Sequence, residues 1–91
     1  MRIRWTPAAA ADLENINDYL RLHHPRYRQP TMRNLYEAVR ALKSLPHQGR
    51  PGREAGTREL VFAPLPYIAV YRVAGQTIEV LRIHHGAQER Q

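Results

Sequence analysis

Cysteine is absent from this 91-residue chain, which excludes a disulfide framework and any thiolate zinc site. No apolar run approaches the roughly 20 residues that a membrane span requires. The opening Met1-Arg2-Ile3-Arg4-Trp5 lacks the apolar stretch of a signal peptide, so the expectation is a soluble cytoplasmic protein without a membrane partner. Lysine is nearly missing too: thirteen of the fourteen basic residues are arginine, and Lys43 is the exception. Acids are scarce through the middle of the chain. Residues 21–58 carry nine basic side chains against Glu37 and Glu54, a net of +7, whereas residues 1–20 sum to −1 and residues 59–91 to zero. Arginine pairs bidentately with phosphate and carboxylate, so this basic middle predicts an anionic partner, either nucleic acid or an acidic protein segment. Its bland alternative is a merely solubilising surface.

The length suits one domain over residues 1–91, with no repeat and no internal boundary. Ile3 and Trp5 alternate with Arg2 and Arg4, which predicts a short first strand. Thr6-Pro7 is a helix entry, threonine capping and proline taking the first helical position. Ala9, Leu13, Ile16 and Leu20 then form an apolar stripe that ends at His23-His24-Pro25, because a residue before proline avoids the helical region. A second helix is expected from about Pro30 to Ser44, burying Met32, Leu35, Tyr36, Val39 and Leu42. A short basic connection containing Arg26 and Arg28 would pair the two helices antiparallel. The Gly- and Pro-rich segment from Pro46 to Gly56 reads as a loop.

Three β-rich runs follow: Gly56–Leu60 onward, Pro66–Val73 and Ile78–Gly86. A two-residue turn at Gly75-Gln76 would set Val73 opposite Ile78 and Arg72 opposite Glu79. In that register Tyr67, Ala69, Tyr71 and Val73 share a face with Ile78, Val80, Arg82 and His84. The other face, with Ile68, Val70, Leu81, Ile83 and His85, is the more apolar and is expected against the helices. The predicted class is α+β: a short N-terminal strand and an antiparallel helix hairpin packed on a C-terminal antiparallel sheet of three strands, four with the first.

Few residues carry candidate chemistry. His84 and His85 point to opposite faces of a strand end, where an imidazole can act as acid or base near neutral pH. Packing at a strand end is the commoner fate of such a histidine. Without spaced Asp, Glu or Cys partners the pair is no metal motif, and no cofactor or metal is expected. Arg82 sits among Val80, Leu81 and Ile83, either meeting an anionic partner or pairing internally, for instance with Glu59. Arg50, Arg53 and Arg58 flank the loop and suit phosphodiester contacts. Tyr67 and Tyr71 could stack bases, although strand tyrosines more often pack at a core edge. A metal-independent nuclease would need a base, a proton donor and cations for the phosphorane, roles that His84, His85, Arg82, Tyr71 and Arg58 could fill.

Trp5, Ala10–Ile16, the Gly49–Arg53 loop, Gly56–Leu60, Pro66–Val73 and Ile78–Gln88, taken in order, resemble the RelE/ParE superfamily of type II toxin–antitoxin toxins across nearly the whole chain. The resemblance implies a toxin neutralised by an antitoxin encoded beside it, whose acidic or amphipathic C-terminal segment wraps the toxin. Leu13, Tyr19, Leu20, Tyr36 and Val39 are candidates to receive that segment where the core does not claim them. RelE-like members cleave messenger RNA in the ribosome with Lys and Arg on the second and third strands and an Arg and a Tyr near the C-terminus. Here the second-strand positions read Glu59 and Val61, the third-strand Arg is Ile68, and no Tyr follows Gly86. ParE-like members lack that set and poison DNA gyrase. The expectation is therefore a ParE-like toxin, with Arg50, Arg53, Arg58, Arg82, His84 and Gln88 toward the target. The alternatives are a RelE-like ribosome-dependent endoribonuclease and a non-toxic nucleic-acid-binding module.

Overall fold

A computed structural model describes residues 1–86. Strand β1 (Arg2–Trp5) leads into helix α1 (Pro7–His23), helix α2 (Pro25–Arg40) and a short 3-10 turn at Ala41–Lys43. Strands β2 (Arg50–Pro51), β3 (Arg58–Val61), β4 (Tyr67–Ala74) and β5 (Thr77–His85) complete the chain. The sheet has five strands in the order β1-β5-β4-β3-β2. It is mixed: β1 runs parallel to β5, and the remaining pairs are antiparallel. The expected sheet thus gains a fifth strand, a two-residue β2 inside the segment read as loop, paired with Arg58 and Glu59.

The helices form as their capping signals require. Thr6 Oγ1 accepts a hydrogen bond from the Ala9 amide at 3.2 Å, and Pro7 occupies the first turn, where its missing N–H costs nothing. Ala9, Leu13 and Leu20 are buried along one face. The second helix starts at Pro25 instead of Pro30, so the connection shrinks to His24, and Arg26 and Arg28 lie within α2. Pro25 is itself a good first helical residue, which the reading from Pro30 overlooked. His24 leaves the helical region (φ −144°, ψ 60°) and donates its N–H to Leu20 O at 2.8 Å. Pro30 is carried inside the helix, at the cost of one intrahelical bond. Arg28 donating to Asn17, and Trp5 lying edge-on to Tyr36 at 5.8 Å, mark the two ends of the antiparallel hairpin.

Gly75-Gln76 turns β4 into β5 with Ala74 opposite Thr77, Val73 opposite Ile78 and Arg72 opposite Glu79, the expected register. Beyond Tyr71 opposite Val80, the ladder shifts: Val70 faces Arg82 and Ala69 faces Ile83. Leu81 is therefore an extra residue, a β-bulge that reverses which side chains point inward. The expected face assignment fails here, and it fails twice. The helix-facing side is the one with Tyr67, Ala69, Tyr71, Ile78 and Val80, all buried in the core, and the bulge brings Ile83 to join them in place of Arg82. Val70, Arg72, Glu79, Arg82 and His84 turn outward. Counting apolar side chains along a uniform alternation cannot see an inserted residue.

Tyr71 is the largest fully buried side chain, and its hydroxyl is spent on the loop before β3. It donates to Pro46 O at 2.8 Å and accepts from the Gly49 amide at 2.9 Å. Arg58 adds donations to Gly49 O at 2.8 Å and His47 O at 3.2 Å. A Cβ at Gly49 would lie 2.7 Å from the Tyr71 ring and 2.9 Å from Glu59 O, so only glycine fits. Tyr71→Phe should lower stability by about 1–3 kcal/mol, because it orphans a buried amide and a carbonyl. Gly49→Ala should cost at least as much, and urea unfolding of both variants checks the pair.

Candidate functional site

The side of the sheet turned away from the helices is where most strand arginines emerge. Arg2 and Arg4 of β1 align with Thr77 and Glu79 of β5, Arg72 of β4 lies across from Glu79, and Arg50 of β2 lies across from Glu59. Acids are interleaved among them. Glu79 accepts from Arg72 Nε at 2.6 Å and also from Arg4. The hydrogen bond from Arg72, helped by the charge of Arg4, holds the Glu79 carboxyl below its usual range against a smaller opposing effect of burial. Since the folded value is depressed, this clasp contributes fully above the ordinary carboxylate range and is lost as pH falls through the folded value. Buried Glu59 receives Arg50 Nε at 2.9 Å.

Arg82 pairs internally, with a partner other than Glu59. Its Nε and Nη2 donate to Asp12 of α1 at 2.8 and 3.2 Å, while Asp12 Oδ2 also accepts the Ile83 amide at 2.8 Å. These contacts raise the Arg82 pKa further, its hydrogen bond to Asp12 dominating. One carboxylate thus closes the edge of β5 just past the point where β1 leaves it. Thr6 supports the same stretch, donating Oγ1 to Val80 O and Leu81 O at 3.0 and 3.1 Å.

The residues singled out from sequence therefore do not converge on one chemical centre. Arg58 ties the loop, Tyr71 is fully buried with its hydroxyl occupied, and Arg50 and Arg82 are ion-paired. Arg53 is exposed on the loop between β2 and β3, and His84 is half-buried on the outward face opposite Ile68. His85 lies opposite Tyr67, its ring edge-on at 5.9 Å. Gln88 falls outside the described residues. Of the positions considered for an antitoxin, Leu13, Leu20 and Val39 belong to the buried interior, whereas Tyr19 and Tyr36 are about half exposed. Among the described residues no group of His, Cys, Asp and Glu is arranged to hold a metal ion, and no helix is long and apolar enough to cross a membrane.

Two concavities flank the helix hairpin. One, of about 770 Å³, opens between the hairpin and the β3–β4 loop, with Tyr19, Tyr27 and His24 on one wall and Leu65, Tyr67 and His85 on the other. The second, of about 590 Å³, runs along the outer side of the hairpin past Trp5, Met32 and Tyr36. The pairing of Asp12 left no signal in sequence spacing, because Arg82 and the Ile83 amide lie about seventy residues away.

This architecture, two helices on a mixed five-stranded sheet with a basic outward face and apolar clefts beside the hairpin, is that of a small toxin fold. The toxin of a chromosomal ParDE toxin–antitoxin system from Pseudomonas aeruginosa superposes with a TM-score of 0.83 at 36% identity, covering 93% of this chain and 95% of that one. Toxin RelE2 of Caulobacter vibrioides is 37% identical over 96% of the chain and 97% of its own length. Y4kP of Sinorhizobium fredii is 40% identical, covering 97% and 91% respectively. The RelBE2 toxin–antitoxin complex of Mycobacterium tuberculosis shares the fold at a TM-score of 0.66 and 24% identity, with 92% of this chain and 95% of that one covered. A sequence model described as "ParE toxin of type II toxin-antitoxin system, parDE" matches residues 3–90. The chain belongs to this ParE family of the RelE/ParE superfamily, as the toxin component of a type II toxin–antitoxin system whose partner is an antitoxin.

The clamp on β5 yields a graded expectation. Asp12→Ala should destabilise by about 1–3 kcal/mol, because the Ile83 amide loses a charged acceptor. Arg82→Ala removes only a half-exposed pair and should cost less than about 1 kcal/mol. Equilibrium unfolding at neutral pH measures both.

Proposed function

We propose that the toxin acts by binding a protein target, DNA gyrase, and stalling it on DNA, with no chemistry of its own. One observation carries this reading: three of the five side chains that a nuclease would recruit are consumed by the fold. Tyr71 has its hydroxyl bonded on both sides inside the core, Arg58 is tied to two loop carbonyls, and Arg82 is held by Asp12. A proton donor must reach its substrate, and a fully buried tyrosine does not. The kinship with a parDE toxin family supports the same conclusion.

In this reading the target meets the rigid loop that carries Arg50 and Arg53, together with the outward face around His84. The loop is well suited to recognition because Tyr71 and Arg58 set its shape before any partner arrives. The antitoxin covers the hairpin side, where Tyr19 and Tyr36 offer amphipathic aromatic surface. An acidic segment would associate quickly with a chain of net charge +6. The endoribonuclease reading retains His84 and His85 at the end of β5, and the same experiment addresses it.

Expression of the chain without its antitoxin should induce the DNA damage response and accumulate cleaved gyrase–DNA complexes. Arg53→Glu should relieve growth inhibition by about tenfold or more in plating efficiency, as expected for a rim charge reversed against an acidic target, while antitoxin capture persists. Codon-positioned messenger cuts with abrupt translational arrest, abolished by His84→Ala, would establish the nuclease instead.

A further inference from the structure

The connection between β2 and β3 is exposed from Arg53 to Gly56, yet its own backbone closes it twice. Gly52 donates its N–H to Thr57 O at 2.8 Å, which seals the neck. Across the tip the Thr57 amide donates to Glu54 O at 3.1 Å, and Thr57 Oγ1 donates to the same oxygen at 2.6 Å. Between them Gly56 takes φ +81°, a positive value of the kind that turns of type II require at their third residue. One carbonyl thus gathers an amide and a hydroxyl, and Glu54-Ala55-Gly56-Thr57 is a closed turn. Arg53 lies between the neck and this turn, so both closures fix its backbone.

The packing around Gly56 does not demand this shape. A Cβ added there would meet no atom of the described residues within 4 Å, so the backbone angle alone calls for glycine. The left-handed region disfavours alanine about five- to thirtyfold relative to glycine. Exposed loop tips are ordinarily the mobile part of a fold, whereas this one continues a run of fixed contacts that starts in the core. Tyr71 and Arg58 hold Pro46, His47 and Gly49, Arg50 holds Glu59, and Arg58 follows Thr57 directly. A held backbone angle at an exposed tip points to recognition, since a loop ordered beforehand spares a partner that cost. Gly75 offers the internal comparison: it has φ +60°, also meets nothing within 4 Å, and closes the turn between β4 and β5.

We propose that Gly56 and Thr57 are positioning residues for target recognition, holding the tip in the shape that presents Arg53 to an acidic patch on a protein partner. The proposal rests on the reading that the toxin arrests growth by binding a protein, and it adds what shapes the contact. Neither residue needs to touch that partner. Their effect is on the fraction of molecules whose tip already has the binding conformation, and apparent affinity falls in proportion to that fraction. The antitoxin, on the hairpin side, is indifferent to it.

The test expresses full-length variants without antitoxin from a titratable promoter and reads, by immunoblot, the toxin level that gives half-maximal growth arrest. Gly56→Ala should raise that level about fivefold or more, and Thr57→Val about two- to tenfold. Gly56→Asn, which tolerates positive φ, should stay within about threefold of the wild type, and Thr57→Ser, which keeps the hydroxyl, within about twofold. Gly75→Ala carries the same kind of backbone penalty in another hairpin and should remain within about twofold. Affinity of each purified variant for the antitoxin encoded beside the toxin should match the wild type within about twofold by calorimetry. Full toxicity of Gly56→Ala and Thr57→Val, a loss in Gly75→Ala equal to that in Gly56→Ala, or a parallel loss of antitoxin affinity overturns the proposal and leaves the target reading standing. Wild-type arrest without cleaved gyrase–DNA complexes overturns the gyrase assignment alone, and the same shifts still decide the loop. A wild type that leaves growth untouched overturns both.

Discussion

The structure depends on the way the start of α1 is fastened to the last strand. Strand β1 pairs with β5 only as far as Trp5 opposite Val80, and there the chain turns into the helix. At that point β5 takes up its extra residue, Leu81. Thr6 donates its hydroxyl to the Val80 and Leu81 carbonyls while capping α1, and Asp12, within that helix, accepts from the Ile83 amide and the Arg82 guanidinium. Polar backbone at a sheet edge must find partners or water, and here the N-cap of α1 and a side chain of its second turn supply them. The consequence reaches the core: the bulge decides that Ile83 packs inward and that Arg82 stays outside.

A second fastening controls the segment between helix and sheet. Its glycines and prolines describe a pliable loop, yet Tyr71 and Arg58 hold four of its backbone groups beside the short β2 ladder. Rigidity of this sort comes from buried donors and acceptors that are costly to leave unmade. It makes the basic knuckle a preformed feature. A partner therefore loses little free energy in ordering it.

Much of the basic character seen in the composition is structural in its immediate use. Arg4, Arg50, Arg72 and Arg82 all hold carboxylates of the same chain. Arginine suits these part-exposed pairs because its planar fork bonds while its stem covers apolar strand surface. The outward face is thus a mosaic of pairs with a positive excess. The apolar and aromatic clefts lie on the other side, beside the helices.

Local chemistry in the chain determined a good deal. The capping of α1 by Thr6-Pro7, the turn at Gly75-Gln76 with Arg72 opposite Glu79, the opposed histidines at the strand end and the kinship with a toxin superfamily were all legible, because each rests on neighbours in sequence or on an ordered set of motifs. Pro25 as the true start of α2 was equally local and was overlooked. The sheet's inward face, the fifth strand, the partner of Arg82 and the histidine-rimmed cleft were decided only by tertiary structure. A single inserted residue at Leu81 reverses strand parity without leaving a compositional trace, and Asp12 meets its partners across about seventy residues of chain. Side-chain periodicity reports local backbone state; which charges meet is set by how the layers pack.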